Sequence, residues 1–184
     1  MPALRHADDL DEGVLALPGL PLQGRLLLSR RSLPGGYEVD DDRARVDRAA
    51  VHDFVCFHAY WALGRAREVQ DELIETAARV VGVYRGAEQV GFCRAVADRH
   101  TVAYLADVYI LPAHRGHGLG RELVAEMVDN WPYGPTKWLL HTADAHELYR
   151  SYGFTDPGVR LMERWPAGEG ALPQAGDGPG GEAD

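Results

Sequence analysis

The chain has 184 residues, 46% of them hydrophobic, which fits one domain with a proper core. A formal net charge of −9 argues against non-specific binding to nucleic acid or to an acidic membrane surface, and mildly suits a cationic substrate such as an amine. No apolar run approaches the ~18 residues of a membrane span, and Cys56 and Cys93 sit in apolar segments that read as the reduced core of a cytoplasmic protein.

Residues 1–36 read as a poorly ordered N-terminal extension with room for one short docked piece. Pro18 and Pro21 break a Leu-rich stretch, and Pro34-Gly35-Gly36 closes the segment. Asp8, Asp9, Asp11 and Glu12 are unlike the basic start of a signal peptide. Tyr37 to Val39 is a short strand. Asp40 to Asp42 offer caps for a helix over 46–58, where Ala50, Val51, Phe54, Val55 and His58 recur at helical spacing. The segment from Ala59 to Arg65 interrupts that helix with Tyr60, Trp61 and Gly64. Such aromatics line a pocket or fill a helix contact. A second helix follows, with Val69, Leu73, Ile74 and Ala77 on one face.

Residues 79–84 and 89–96 form a hairpin around Gly86, and 102–111 make the third strand of an antiparallel meander. Pro112 stops it. Gly116, Gly118 and Gly120 precede a helix whose apolar face is Leu119, Leu123, Val124, Met127 and Val128. After a Trp131–Pro135 break comes a strand over 137–141. Thr142 or Asp144 then caps a short helix through Ala145, Leu148, Tyr149 and Tyr152, closed by Gly153. A last strand is expected over 159–165. Residues 166–184, Gly/Pro-rich and acidic, read as a disordered tail.

Strand, glycine turn and helix together hold anions: glycines let the backbone approach the ligand, and the helix start offers unpaired amides. A Walker loop would need Lys-Ser/Thr where Arg121-Glu122 stands. A dinucleotide fingerprint would need a different glycine spacing inside a βαβ unit. Arg/Gln-x-x-Gly-x-Gly/Ala remains, met by Arg115, Gly118 and Gly120. That pattern resembles the pyrophosphate signature of the GNAT superfamily of acyl-CoA-dependent N-acyltransferases. Ala145-His-Glu-Leu-Tyr-Arg-Ser-Tyr-Gly-Phe154 is similar to the same family's A-x-x-L-Y-x-x-x-G-F signature. The element order over 37–165 resembles its fold.

The resemblance implies an α+β, three-layer domain over 37–165. Its mixed, largely antiparallel sheet would be flanked by helices, with a CoA site at the central strand, glycine loop and helix. It implies that backbone groups of Val108, Tyr109 and Ile110 hold the pantetheine arm, with an amide at Ile110 or its neighbour on the thioester carbonyl. Arg115, Gly116, His117, Gly118, Leu119, Gly120 and Arg121 would hold the pyrophosphate. Tyr149 matches the position that protonates the leaving thiolate. Where the family often has a strand glutamate as general base, this chain has Ala106. Asp107, expected on one face with Leu105 and Tyr109, is the substitute, acting directly, through water, or as a binder of the substrate cation. The acceptor amine would enter between Tyr60, Trp61, Arg65 and the side formed by Asp107, His141 and Asp144. His141, Asp144 and His146 are metal-ligand types at an unconvergent junction, so no metal is expected. The expected activity is acetyl transfer from acetyl-CoA to a small-molecule or protein amine, in the cytoplasm, with no nucleic acid or membrane partner; a homodimer stays open. The alternative is a non-catalytic acyl-CoA-binding sensor or interaction domain.

Overall fold

The structure, a computed structural model, describes residues 29–164. The expectations for residues 1–28 and for the tail from 165 lie outside the described residues. Six strands form one sheet in chain order. They are β1 (Arg30–Leu33), β2 (Tyr37–Asp40), β3 (Arg79–Arg85), β4 (Glu88–Ala97), β5 (Val102–Ile110) and β6 (Lys137–Leu139). All neighbours are antiparallel except β5 and β6. The expected mixed, largely antiparallel α+β architecture is therefore present.

The N-terminal boundary differs from expectation. Residues 30–33 belong to the sheet, paired from Arg30 with Asp40 to Leu33 with Tyr37. Pro34-Gly35-Gly36 is a hairpin turn, with both glycines at φ 76°, a left-handed conformation that costs other residues strain.

Helices α1 (Arg48–His58) and α2 (Arg67–Thr76) cover one face of the sheet; α3 (Leu119–Val128) and α4 (His146–Arg150) lie on the other. Asp47, not Asp40–Asp42, caps α1, accepting from the amides of Ala49 and Ala50 at 3.0 Å each. Val51, Phe54 and Val55 are buried against Ile74, Phe92 and Tyr109. His58 is exposed. Val69 is exposed too, and Gln70 takes the buried place on α2. On the far face, Leu123, Val124 and Met127 of α3 are fully buried. Each such side chain contributes about 1.5–3 kcal/mol of transfer free energy.

An ionic network ties α3 to the sheet. Arg79 donates to Glu126 Oε1 at 2.9 Å, to Asp41 at 2.8 Å and to the Glu126 carbonyl at 2.6 Å. Glu126, itself buried, also accepts from Ser29 and Asn130.

The expected strand over 159–165 is not formed among the described residues; 159–164 are irregular, with Val159 and Met162 exposed. Adjacent Leu161 and Met162 break the two-residue alternation a half-buried strand needs. The β6 edge offers only three residues to pair with.

One irregularity sets the centre of the sheet. Arg94 pairs with Ala106 and Phe92 with Tyr109, so β5 spends an extra residue opposite Cys93. Asp107 lies in that bulge at φ 51°. The extra residue reverses the pleat. Leu105 packs into the α3-side core, whereas Tyr109 packs with α1 and α2. Asp107 thus does not share one face with both, contrary to the sequence expectation.

Candidate active site

β5 meets β6 only from Val102 to Tyr104. Past Tyr104, its far edge has no strand partner among the described residues. The Leu111 amide donates inward to the Val90 carbonyl at 2.8 Å. Strand alternation therefore turns the Ile110 amide toward the open edge. The Ile110 carbonyl accepts from Arg115 Nε at 3.1 Å, so Arg115 folds back onto the strand end. Leu111 is thereby removed as a free donor, and Ile110 remains.

Beyond β5, Gly116 and Gly118 take φ 81° and 75°. Gly118 is the N-cap of α3, with Arg121 and Glu122 donating to its carbonyl at 3.0 and 3.2 Å. The amides of residues 116–120 donate to no carbonyl or side chain among the described residues. A Cβ at Gly116 or Gly118 would meet nothing within 4 Å. Glycine here serves the backbone turn and leaves open space above the loop. A cavity of about 230 Å³ fills that space, lined by Ile110, the loop from His114 to Arg121 except His117, and Leu148. Free amides, a helix start and Arg121 suit an anion of diphosphate size. His117 turns its ring back onto the carbonyl of Arg115 at 3.0 Å. His114 is buried against the Tyr37 hydroxyl at 3.0 Å.

Tyr149 follows Leu148 on α4 and is buried, edge-on to Phe154 at 5.8 Å. Gly153, at φ 80°, closes the helix and lets the Phe154 amide reach the Tyr149 carbonyl at 3.2 Å. Burial, reinforced by Cys93, Tyr60 and Asp144, pushes the Tyr149 phenol well above its ordinary pKa. The group is therefore a proton holder at neutral pH. Thr142, not Asp144, makes the turn before α4, accepting from the Ala145 amide at 3.0 Å.

On the α1–α2 side the sequence-predicted acceptor residues fall into two groups. Tyr60, 42% exposed, accepts from the Ala143 amide at 2.9 Å and stands edge-on to Trp61. His141 bonds the Tyr104 hydroxyl at 2.7 Å and contacts Glu163. Asp144 is exposed. Arg65 leaves this rim for Asp107, its Nη1 lying 3.2 and 3.0 Å from the two carboxylate oxygens. Arg94 completes the cluster, Nε to Asp107 Oδ2 at 2.6 Å. Sequence reasoning missed Arg94 and Gln70. A lone charge inside the apolar strand Gly91–Val96 was the available signal. Among the described residues, no group of three or more His, Cys, Asp or Glu could hold a metal, and no helix is long and apolar enough to cross a membrane.

A family model for the acetyltransferase (GNAT) domain matches residues 76–156. A GNAT-family protein of known structure from Xanthomonas campestris pv. campestris is 32% identical, with a TM-score of 0.67 over 71% of this chain and 93% of that one. A Gibberella zeae protein provisionally named an acetyltransferase is 34% identical over 110 residues, 58% of this chain; the match spans only 59% of that relative's length. A Clostridium acetobutylicum protein, crystallised with acetyl-CoA, shares the fold at a TM-score of 0.52 and 13% identity, over 70% of this chain and 94% of that one. The chain belongs to the GNAT family of acetyltransferases.

Proposed function

We propose that the protein transfers an acetyl group from acetyl-CoA to a primary amine by direct attack in a ternary complex. The glycine-loop cavity supports this most, because its free amides lie between the open edge of β5 and Leu148, one residue before a protonated tyrosine. When bound, acetyl-CoA supplies an activated acetyl thioester. The amides of residues 116–120 and Arg121 receive its diphosphate, and the β5 edge at Val108, Tyr109 and Ile110 extends along its arm. The Ile110 amide donates to the thioester oxygen. The acceptor nitrogen bonds the acetyl carbon as the carbon–sulfur bond breaks, and Tyr149 gives its phenolic proton to the sulfur. Arg65 and Arg94 occupy both oxygens of Asp107. The amine's proton therefore passes to water, and Asp107 acts through the bulge it holds.

Ala106 and the engaged Asp107 also favour a second reading, a non-catalytic acyl-CoA-binding domain. CoA-thiol release with acetyl-CoA across an amine panel separates the two. Acetyl transfer predicts release, and Tyr149→Phe should cut turnover by about 10²-fold or more while CoA affinity stays near wild type. CoA binding without release from any amine supports the binding domain. Unchanged turnover in Tyr149→Phe removes the phenol from the mechanism.

A further inference from the structure

Arg65, Gln70, Arg94 and Asp107 form a compact cluster beside the β5 bulge. Two guanidiniums face one carboxylate, so the cluster is cationic inside a chain of net charge −9. The Asp107 side chain is 2% exposed, Arg94 8% and Arg65 20%. Arg65 commits only Nη1, to Asp107 and to Gln70 Oε1 at 2.7 Å. Its Nε and Nη2 make no hydrogen bond among the described residues, and neither atom is sealed from solvent. That edge of a guanidinium matches the two oxygens of a carboxylate. Gln70 Nε2 is a second spare donor: it is buried and has no partner among the described residues, on a residue 0% exposed. A buried donor left unpaired is costly. The charge of Asp107 is already met by two guanidiniums, and its side chain is 2% exposed. The uncommitted polar atoms of Arg65 and Gln70 are all donors.

We infer that the acceptor amine carries a carboxylate, received by the Nε–Nη2 edge of Arg65, whose Nη1 is held by Asp107 and Gln70. The inference rests on the acetyl-transfer reading for the amine, but the anion subsite itself does not. The substrate class is then amino acids or peptides with a free carboxyl end, rather than simple alkylamines. Arg65 selects the acceptor, and Asp107 and Gln70 hold its guanidinium in place.

The test pairs α-amino acids and dipeptides with their C-terminal amides. Binding is read by calorimetry in the presence of CoA, and CoA-thiol release is read separately with acetyl-CoA. At least one acid should bind tenfold or more tightly than its amide, and Arg65→Gln should abolish that preference. Arg65→Lys keeps a cation for Asp107 but lacks the planar fork; it should fold as wild type and lower the preference below threefold. Acids and amides binding alike, or not at all, overturn the inference even if CoA is released from other amines. A preference surviving in both variants also overturns it. Acid-selective binding without thiol release sustains the subsite and overturns acetyl transfer instead.

Discussion

Arg94 Nε lies 2.6 Å from Asp107 Oδ2, joining two strands where β5 bulges and Asp107 takes φ 51°. A positive φ away from glycine costs about 1–2 kcal/mol, so the surroundings must hold it. The ion pair with Arg94, shared with Arg65, does so. Its consequence is the reversed pleat that puts Leu105 and Tyr109, four residues apart, on opposite sides of the sheet.

Asp107→Asn tests this. Asparagine tolerates the left-handed conformation and keeps the shape, but leaves the buried Arg94 guanidinium and the partly exposed Arg65 without a counter-charge. Destabilisation of about 3–5 kcal/mol is expected in urea unfolding. Combined with Arg94→Met, the two changes should couple by more than about 1 kcal/mol. Additive effects would mean that the pair does not hold the bulge.

Gly118 separates binding from folding. Because no atom of the described residues beyond its chain neighbours lies within 4 Å of a Cβ there, Gly118→Asp loses only about 1 kcal/mol of stability through its left-handed φ. Its carboxylate would project into the space assigned to the diphosphate. CoA binding by calorimetry should disappear in a protein with a near-native melting curve. Retained affinity would overturn the glycine-loop assignment.

Glu126 predicts an acid limb of stability. Burial opposes its ionisation, but hydrogen bonds from Ser29, Asn130 and Arg79 prevail and hold its pKa below the ordinary value. The unfolded chain then binds the proton more readily than the native state. The contribution is present above about pH 4.3, the unfolded glutamate value, and is lost as pH falls through the lower folded value. Glu126→Gln should remove about 3 kcal/mol at pH 7, the low end for a broken buried pair because Asp41 still meets Arg79. It should also flatten the decline in urea midpoint between pH 5 and 3. An equally steep decline in the variant would assign that limb to other carboxylates.

Short-range information made much of the protein legible in its sequence. Gly116 and Gly118 state their backbone requirement locally. The α3 periodicity gives its buried face, and Leu148, Tyr149 and Gly153 lie within one helical turn and its cap. Local spacing does not reveal which distant side chains will meet. Arg65 reaches Asp107 across 42 residues and Arg94 does so across 13. Burial in the fold then turns an apparent strand carboxylate into an ion-paired anchor. The bulge, the reversed pleat and the missing last strand depend on pairing between strands. The glycine loop and the tyrosine helix are legible in the chain because backbone conformation and periodicity are local. What Asp107 touches emerges only on folding, because a buried charge takes its role from the partners that folding brings to it.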